Sequence, residues 1–284
     1  MTTTTAPSIP VRFEPTVAVR PQTFGRTVHA EWIKFWTVRS TVWTLIATVS
    51  VMVGISVLAA WGSTSGAVDA GSGPINMALL LSAGYQLAQL SVAVLGVLTI
   101  AGEYSTGMIR STLAAVPRRV PVLTAKALVL SGVVAGISVV SMALSYVATM
   151  PWHATLHTTF DLTDPLTLRM TVGLPLYLVA IALFAFAIGA LIRNSAAALT
   201  AVIALLLVVE NVLMVIPLRA VELISPFLPS TAGRRVLFDA ETLTATDAMT
   251  KGAHLAPWLG YGVLVVWALV LFALAAMMLR RRDA

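Results

Sequence analysis

The chain has 284 residues, of which 58% are hydrophobic and only 11% charged, with a formal net charge of +6 and no cysteine. A soluble domain carries roughly 25% charged residues, so this much apolar surface has lipid as its natural solvent. Disulfides and thiolate metal sites are excluded, and the basic residues gather beside the ends of apolar runs rather than in a nucleic-acid groove.

Residues Met1 to Pro21 are rich in Thr and Pro and lack an apolar run followed by a small-residue cleavage site, so residues 1–22 are expected to be a disordered cytoplasmic tail rather than a cleaved signal. Next, Val28, Trp32, Phe35 and Trp36 recur at helical spacing among Arg26, Lys34 and Arg39. That pattern predicts a helix over about 24–39 lying in the membrane interface, either as an anchor or as a docking surface for a cytoplasmic partner.

A helix needs about 20 apolar residues to cross the hydrocarbon, and six stretches qualify. They are roughly Val42–Trp61, Met77–Ala101, Val120–Thr149, Val172–Ile192, Ala196–Ile216 and Trp258–Leu279. None alternates as a β-barrel strand would, so an all-α, six-span membrane protein is expected. Thirteen of the 18 Lys and Arg residues fall on one side of this layout, which predicts cytoplasmic termini. The longest connection on the other side, Pro217–Pro257, holds an apolar stretch broken by Pro226 and Pro229, and reads as a re-entrant or interface-lying hairpin.

Between the second and third spans lies Gly102-Glu103-Tyr104-Ser105-Thr106-Gly107-Met108-Ile109-Arg110-Ser111-Thr112-Leu113, followed by Pro117, Arg118, Arg119 and Lys126. Ser105 is a potential cap for a short helix with Met108, Ile109, Thr112 and Leu113 on its apolar face, ended by Pro117. The segment reads either as a positive-inside loop or as a compact helix able to receive a mechanical push. Glu103 reads as a local ion pair or helix cap, or as a group with a direct energetic role.

The run GEYSTGMIRSTLAAVPRRVPVLTAKAL resembles the second-to-third connection of the ABC-2-type permeases, the membrane subunits of bacterial ABC exporters, and HAEWIKFWTVRSTVWTL resembles their entry into the first span. The resemblance implies a six-span permease in the bacterial plasma membrane that encloses a pathway with a second copy or a paralogue. It also implies that Phe24–Arg39 and Ser105–Leu113 contact a cytosolic ABC ATPase subunit through Trp32, Phe35, Trp36, Glu103, Ser105, Met108, Ile109, Arg110 and Leu113. No G-x-x-x-x-G-K-[ST] loop occurs, so ATP and Mg belong to that partner, and this chain is expected to be no enzyme and to bind no cofactor or metal itself. The expected substrate is a small amphipathic molecule, a lipid or a peptide. An ion-gradient transporter and a non-transporting membrane anchor are the rival expectations.

Three further features carry expectations. Glu210 and Asn211 fall within the fifth span, where a carboxylate is costly unless it is paired, protonated or wet; they read as pathway or dimer-seam residues, or as snorkelling to headgroups. Gly132-x-x-x-Gly136 permits close helix approach and is expected to pack within the chain. His153, His157 and Asp161 would align on one helix face with ligand-like spacing, although solvated loop residues are the default.

Overall fold

The computed structural model describes residues 23–64, 75–108, 119–216, 218–249 and 252–281. The expected N-terminal tail, together with Ile109, Arg110, Leu113 and Arg118, lies outside those residues. Among the described residues the chain is helical, with one isolated bridge, Asn76 to Thr159.

A short helix α1 (Phe24–Thr37) stops where Val38 turns extended, and α2 (Arg39–Thr64) is the first long apolar helix. There follow α3 (Met77–Ser82), α4 (Tyr85–Ser105), α5 (Arg119–His153) and α6 (Pro165–Ile192). The fifth apolar helix comprises α7 (Ser195–Ile203), a π-helical turn (Ala204–Val209) and α8 (Glu210–Val215). Small elements α9 (Arg219–Ile224), α10 (Pro229–Gly233) and α11 (Ala240–Met249), with intervening 3₁₀ turns, lead into α12 (Pro257–Arg281). Six of these helices are long and apolar enough to cross a membrane, as the sequence predicts, and the chain is a multi-pass helical membrane protein.

Two expectations about these elements need correction, and a third feature follows its default reading. The second apolar stretch is not one helix from 77 to 101. It breaks at Ala83-Gly84, where Gly84 lies so close to α2 that a Cβ there would sit 2.8 Å from the Met52 Cα. Gly132 and Gly136 face open space and pack against nothing among the described residues. The helix that would align His153, His157 and Asp161 ends at His153, and His157 follows in a turn with φ of 48°.

The centre of the bundle is α6. Of its apolar stretch 61% is buried, against 22% for α2, for the fifth helix and for α12. Tyr177, Ile181, Phe184 and Phe186 are buried there, and α4 lies along them. Close approach of α4 and α6 depends on small residues: a Cβ on Gly96 would stand 2.3 Å from the Ala182 carbonyl oxygen, and one on Gly189 would be 3.2 Å from that of Val97. Several hydroxyls inside the long helices donate to their own backbone, as Thr48 to Thr44 O, Thr99 to Leu95 O and Ser138 to Val134 O, whereas the buried hydroxyls of Ser56, Ser145 and Thr171 have no partner among the described residues.

Capping defines the other ends. Asp164 accepts from the N–H groups of Leu166 and Thr167, with Pro165 at the first turn of α6, which places its start earlier than Val172. Arg193 closes α6 in the left-handed conformation, and Asn194 caps α7 by accepting from Ala197 N–H at 3.0 Å.

A buried charge cluster beneath the amphipathic helix

Helix α1 is two-faced. Val28, Glu31 and Phe35, spaced three and four residues apart, turn inward, while Trp32 and Trp36 are exposed and stack edge to face at 5.6 Å. Of the three aromatics singled out in the sequence, Phe35 therefore belongs to the core, and Trp32 and Trp36 belong to the surface.

An acidic residue on the inward face needs a partner. Glu31 finds it in Lys126, near the start of α5, whose Nζ lies 2.6 Å from Glu31 Oε2 and 2.6 Å from Glu103 Oε1 at the foot of α4. Lys126 is 2% exposed and Glu103 is 4% exposed, so both charges sit out of solvent. Lys34, one turn on from Glu31, also pairs with Glu103 Oε1. Two carboxylates and two ammonium groups thus neutralise one another, which makes their burial tolerable where burial of one alone would not be. The cluster ties three helices, α1, α4 and α5, together at one point.

Neighbouring contacts close the same end of the bundle. Arg119 Nη1 donates to Leu279 O at 3.1 Å, joining α5 to the end of α12, and the Arg193 guanidinium lies 5.2 Å from the Tyr104 ring centroid. Among the described residues Glu103 Oε2 accepts no hydrogen bond. Beside it opens a cavity of about 290 Å³ walled by Phe35, Leu98, Met108 and Val129 and rimmed by Ser105 and Thr106.

Ser105 lies within α4 itself, and the expected helix beyond Met108 lies outside the described residues. Ser105 ends α4, donating its hydroxyl to Gly102 O at 3.0 Å, and Gly107 with φ of +72° turns the chain away. Only Met108 of the expected coupling helix's apolar face is described, and it is 40% exposed. Glu103 and Lys126 stand out in the sequence, but Glu31 escapes notice there. Its signal is the lone carboxylate in the Val28, Glu31, Phe35 stripe, whereas its partner lies 95 residues away.

At the far end of the bundle a second polar group forms. Glu210 is 3% exposed, and its carboxylate accepts from Ser230 N–H (2.9 Å), Thr231 N–H (2.6 Å) and the Thr231 hydroxyl (2.8 Å). It acts as an N-cap supplied by another helix to α10, and it is held inside the fold rather than reaching headgroups. Asn211, by contrast, is exposed and donates back to Leu207 O at 2.6 Å. The Ser230 hydroxyl donates to Gln89 Oε1 at 3.1 Å, and the Tyr177 hydroxyl bonds to the same oxygen. Gln89, Tyr177 and Ser230 are absent from the candidates that the sequence marks.

Beyond the apolar helices, Arg235 grips Asp247 with two bonds (2.8 and 3.1 Å) and donates through Nε to Leu255 O at 2.6 Å. The Arg235 hydrogen bonds hold the Asp247 carboxyl below its usual range, helped by the charges of Arg235 and His254. A carboxyl with a depressed folded pKa contributes its full stabilisation above the unfolded pKa and loses it as pH falls through the folded one. Amide hydrogen exchange around residues 240–249 is therefore expected to show no loosening between neutral pH and about pH 5, and to loosen in stronger acid. Asp247→Asn should produce that loosening at neutral pH.

Among the described residues no cluster of three His, Cys, Asp or Glu residues is placed to hold a metal ion. No protein-family model matches this chain, and no curated protein matches it.

Proposed function

We propose that this chain is the membrane subunit of an ABC exporter in the bacterial plasma membrane. On this reading both termini and α1 face the cytoplasm, where most Lys and Arg residues lie. Two copies, or this chain and a paralogue, enclose a pathway for an amphipathic molecule, a lipid or a peptide. ATP and Mg are bound and used by a separate cytosolic subunit.

The observation that carries the proposal is the buried cluster of Glu31, Lys34, Glu103 and Lys126. An anchor helix needs only apolar residues against lipid, and ionic bonds at the base of two spans add nothing to anchoring. A helix that must deliver force needs a joint that does not slip. The cluster provides one, directional and desolvated, from α1 to α4 and α5. Exposed Trp32 and Trp36 then offer the partner a grip on the opposite face of the same helix. When two ATPase subunits close on ATP, a push on α1 and on the connection after Met108 rocks α4 and α5 together, a rigid-body change transmitted through packed helices.

An ion-gradient carrier is less well supported. It needs a titratable group open to the pathway near midplane, and the deep carboxylate of the fifth helix is engaged by three internal donors.

The test is transport in inverted membrane vesicles carrying this chain and its cognate ATPase subunit. ATP-dependent accumulation of a hydrophobic dye is expected, and Trp32→Ala with Trp36→Ala should reduce it at least about tenfold while the chain still inserts. Equal accumulation with and without the chain would reject the reading.

A further inference from the structure

Glu210 follows directly on the π-helical turn. Its N–H bonds to Leu205 O, five residues back rather than four, so Ala204–Val209 accommodates one residue more than an α-helix would. Each residue of an α-helix advances the side chain by about 100°. Rewinding the same residues as α-helix would swing Glu210 by that angle, off Ser230 and Thr231.

Little packing opposes such a turn. Leu207, Val208 and Val212 are 42%, 52% and 50% exposed, whereas Leu206 and Glu210 are buried. The segment that Glu210 holds is the opposite. Ser225, Pro226, Pro229, Ser230, Ala232 and Leu237 are buried, and Gly233 lies so close to α12 that a Cβ would be 2.5 Å from Leu264. Without the carboxylate, the N–H groups of Ser230 and Thr231 have no acceptor in that dry setting, so loss of the cap favours departure of the whole segment.

We propose that the π turn and Glu210 form a two-state latch, which in one register clamps residues 225–237 into the end of the bundle and in the other releases them. The latch is a property of this chain alone and does not depend on a motor subunit or on the exporter reading.

Because the chain has no cysteine, single-thiol reporters are available directly. Ser225→Cys, near-isosteric at a site 6% exposed, reports on the clamped segment, and Ser138→Cys, at a fully buried site in α5, reports on the bundle. Each is placed in the full chain in lipid nanodiscs and reacted with a charged maleimide. Glu210→Ala should speed labelling of the Ser225→Cys reporter by about tenfold, and Glu210→Gln by less, since an amide keeps one acceptor oxygen. Deleting Leu207 removes the extra residue and lets an α-helix keep Glu210 aimed at α10. That variant should label at position 225 more slowly than its parent, because the second register is gone. The Ser138→Cys reporter should stay protected throughout. Labelling at position 225 unchanged by Glu210→Ala, labelling there unchanged by the deletion, or both reporters opening together would each overturn the latch.

Discussion

Replacing Lys126 with methionine is expected to cost about 3–5 kcal/mol, because it leaves Glu31 and Glu103 facing each other out of water with their shared counter-ion gone. Lys34 cannot substitute for it. Its side chain is 25% exposed and approaches from the α1 side, where it already engages Glu103. Relief then requires the helices to part at the cluster. The unfolding midpoint of the purified protein, read by intrinsic fluorescence, should fall by roughly 10 °C or more. The companion variant Lys126→Met, Glu31→Gln, Glu103→Gln should recover most of the loss, since it removes both carboxylates with their buried counter-ion and leaves only Lys34, whose side chain is 25% exposed and can reach water. A midpoint in Lys126→Met equal to that of the parent would mean that the three helices are not joined there.

The second large effect is expected at Gly96, where α4 comes closest to α6. An added methyl group meets three backbone atoms, the Ala182 oxygen at 2.3 Å, the Phe186 nitrogen at 3.1 Å and the Ala182 carbonyl carbon at 3.2 Å, and none can rotate away as a side chain would. Gly96→Ala should therefore force the two central helices apart and destabilise by about 1–3 kcal/mol, and Gly96→Val by more. Gly54→Ala and Gly132→Ala are the internal controls. Both positions open onto space, so alanine there should be neutral or slightly stabilising through helix propensity. Equal midpoints for Gly96→Ala and Gly132→Ala would contradict the packing described for α4 and α6.

The six long helices were legible because span length and hydropathy are local properties of the sequence, and runs such as Ala201–Val209 admit no strand reading. The amphipathic helix was legible for the same reason. Hydropathy is blind, however, to a break inside an apolar run. Ala83-Gly84 interrupts the second stretch at the point where Gly84 meets the Met52 backbone of another helix. The π turn in Ala204–Val209 leaves no mark on composition at all. Ser105 carried a capping signal, yet the preceding helix ran through it and closed on Gly107 instead.

The sites were legible in part. Glu103 and Glu210 stood out because carboxylates at the edge of or within apolar helices are costly and must be answered by something. What answers them was not legible. Lys126, Glu31, Ser230 and Thr231 lie between 20 and 95 residues from their partners along the chain, and only the fold brings them within 3 Å. Gln89 and Tyr177, neutral and mid-helix, carried no signal distinguishing them from ordinary interior polar residues.

Force delivered to the spans through α1 is tested most directly by the ATP turnover of the assembled complex. The tagged chain is purified with its ATPase subunit, as parent and as the Lys126→Met, Glu31→Gln, Glu103→Gln variant in which the carboxylates and their shared counter-ion are neutral. Both forms should retain the ATPase, with turnover stimulated by a transported amphiphile in the parent and insensitive to it in the variant. Equal stimulation in both, or a chain that retains no ATPase at all, would contradict the account.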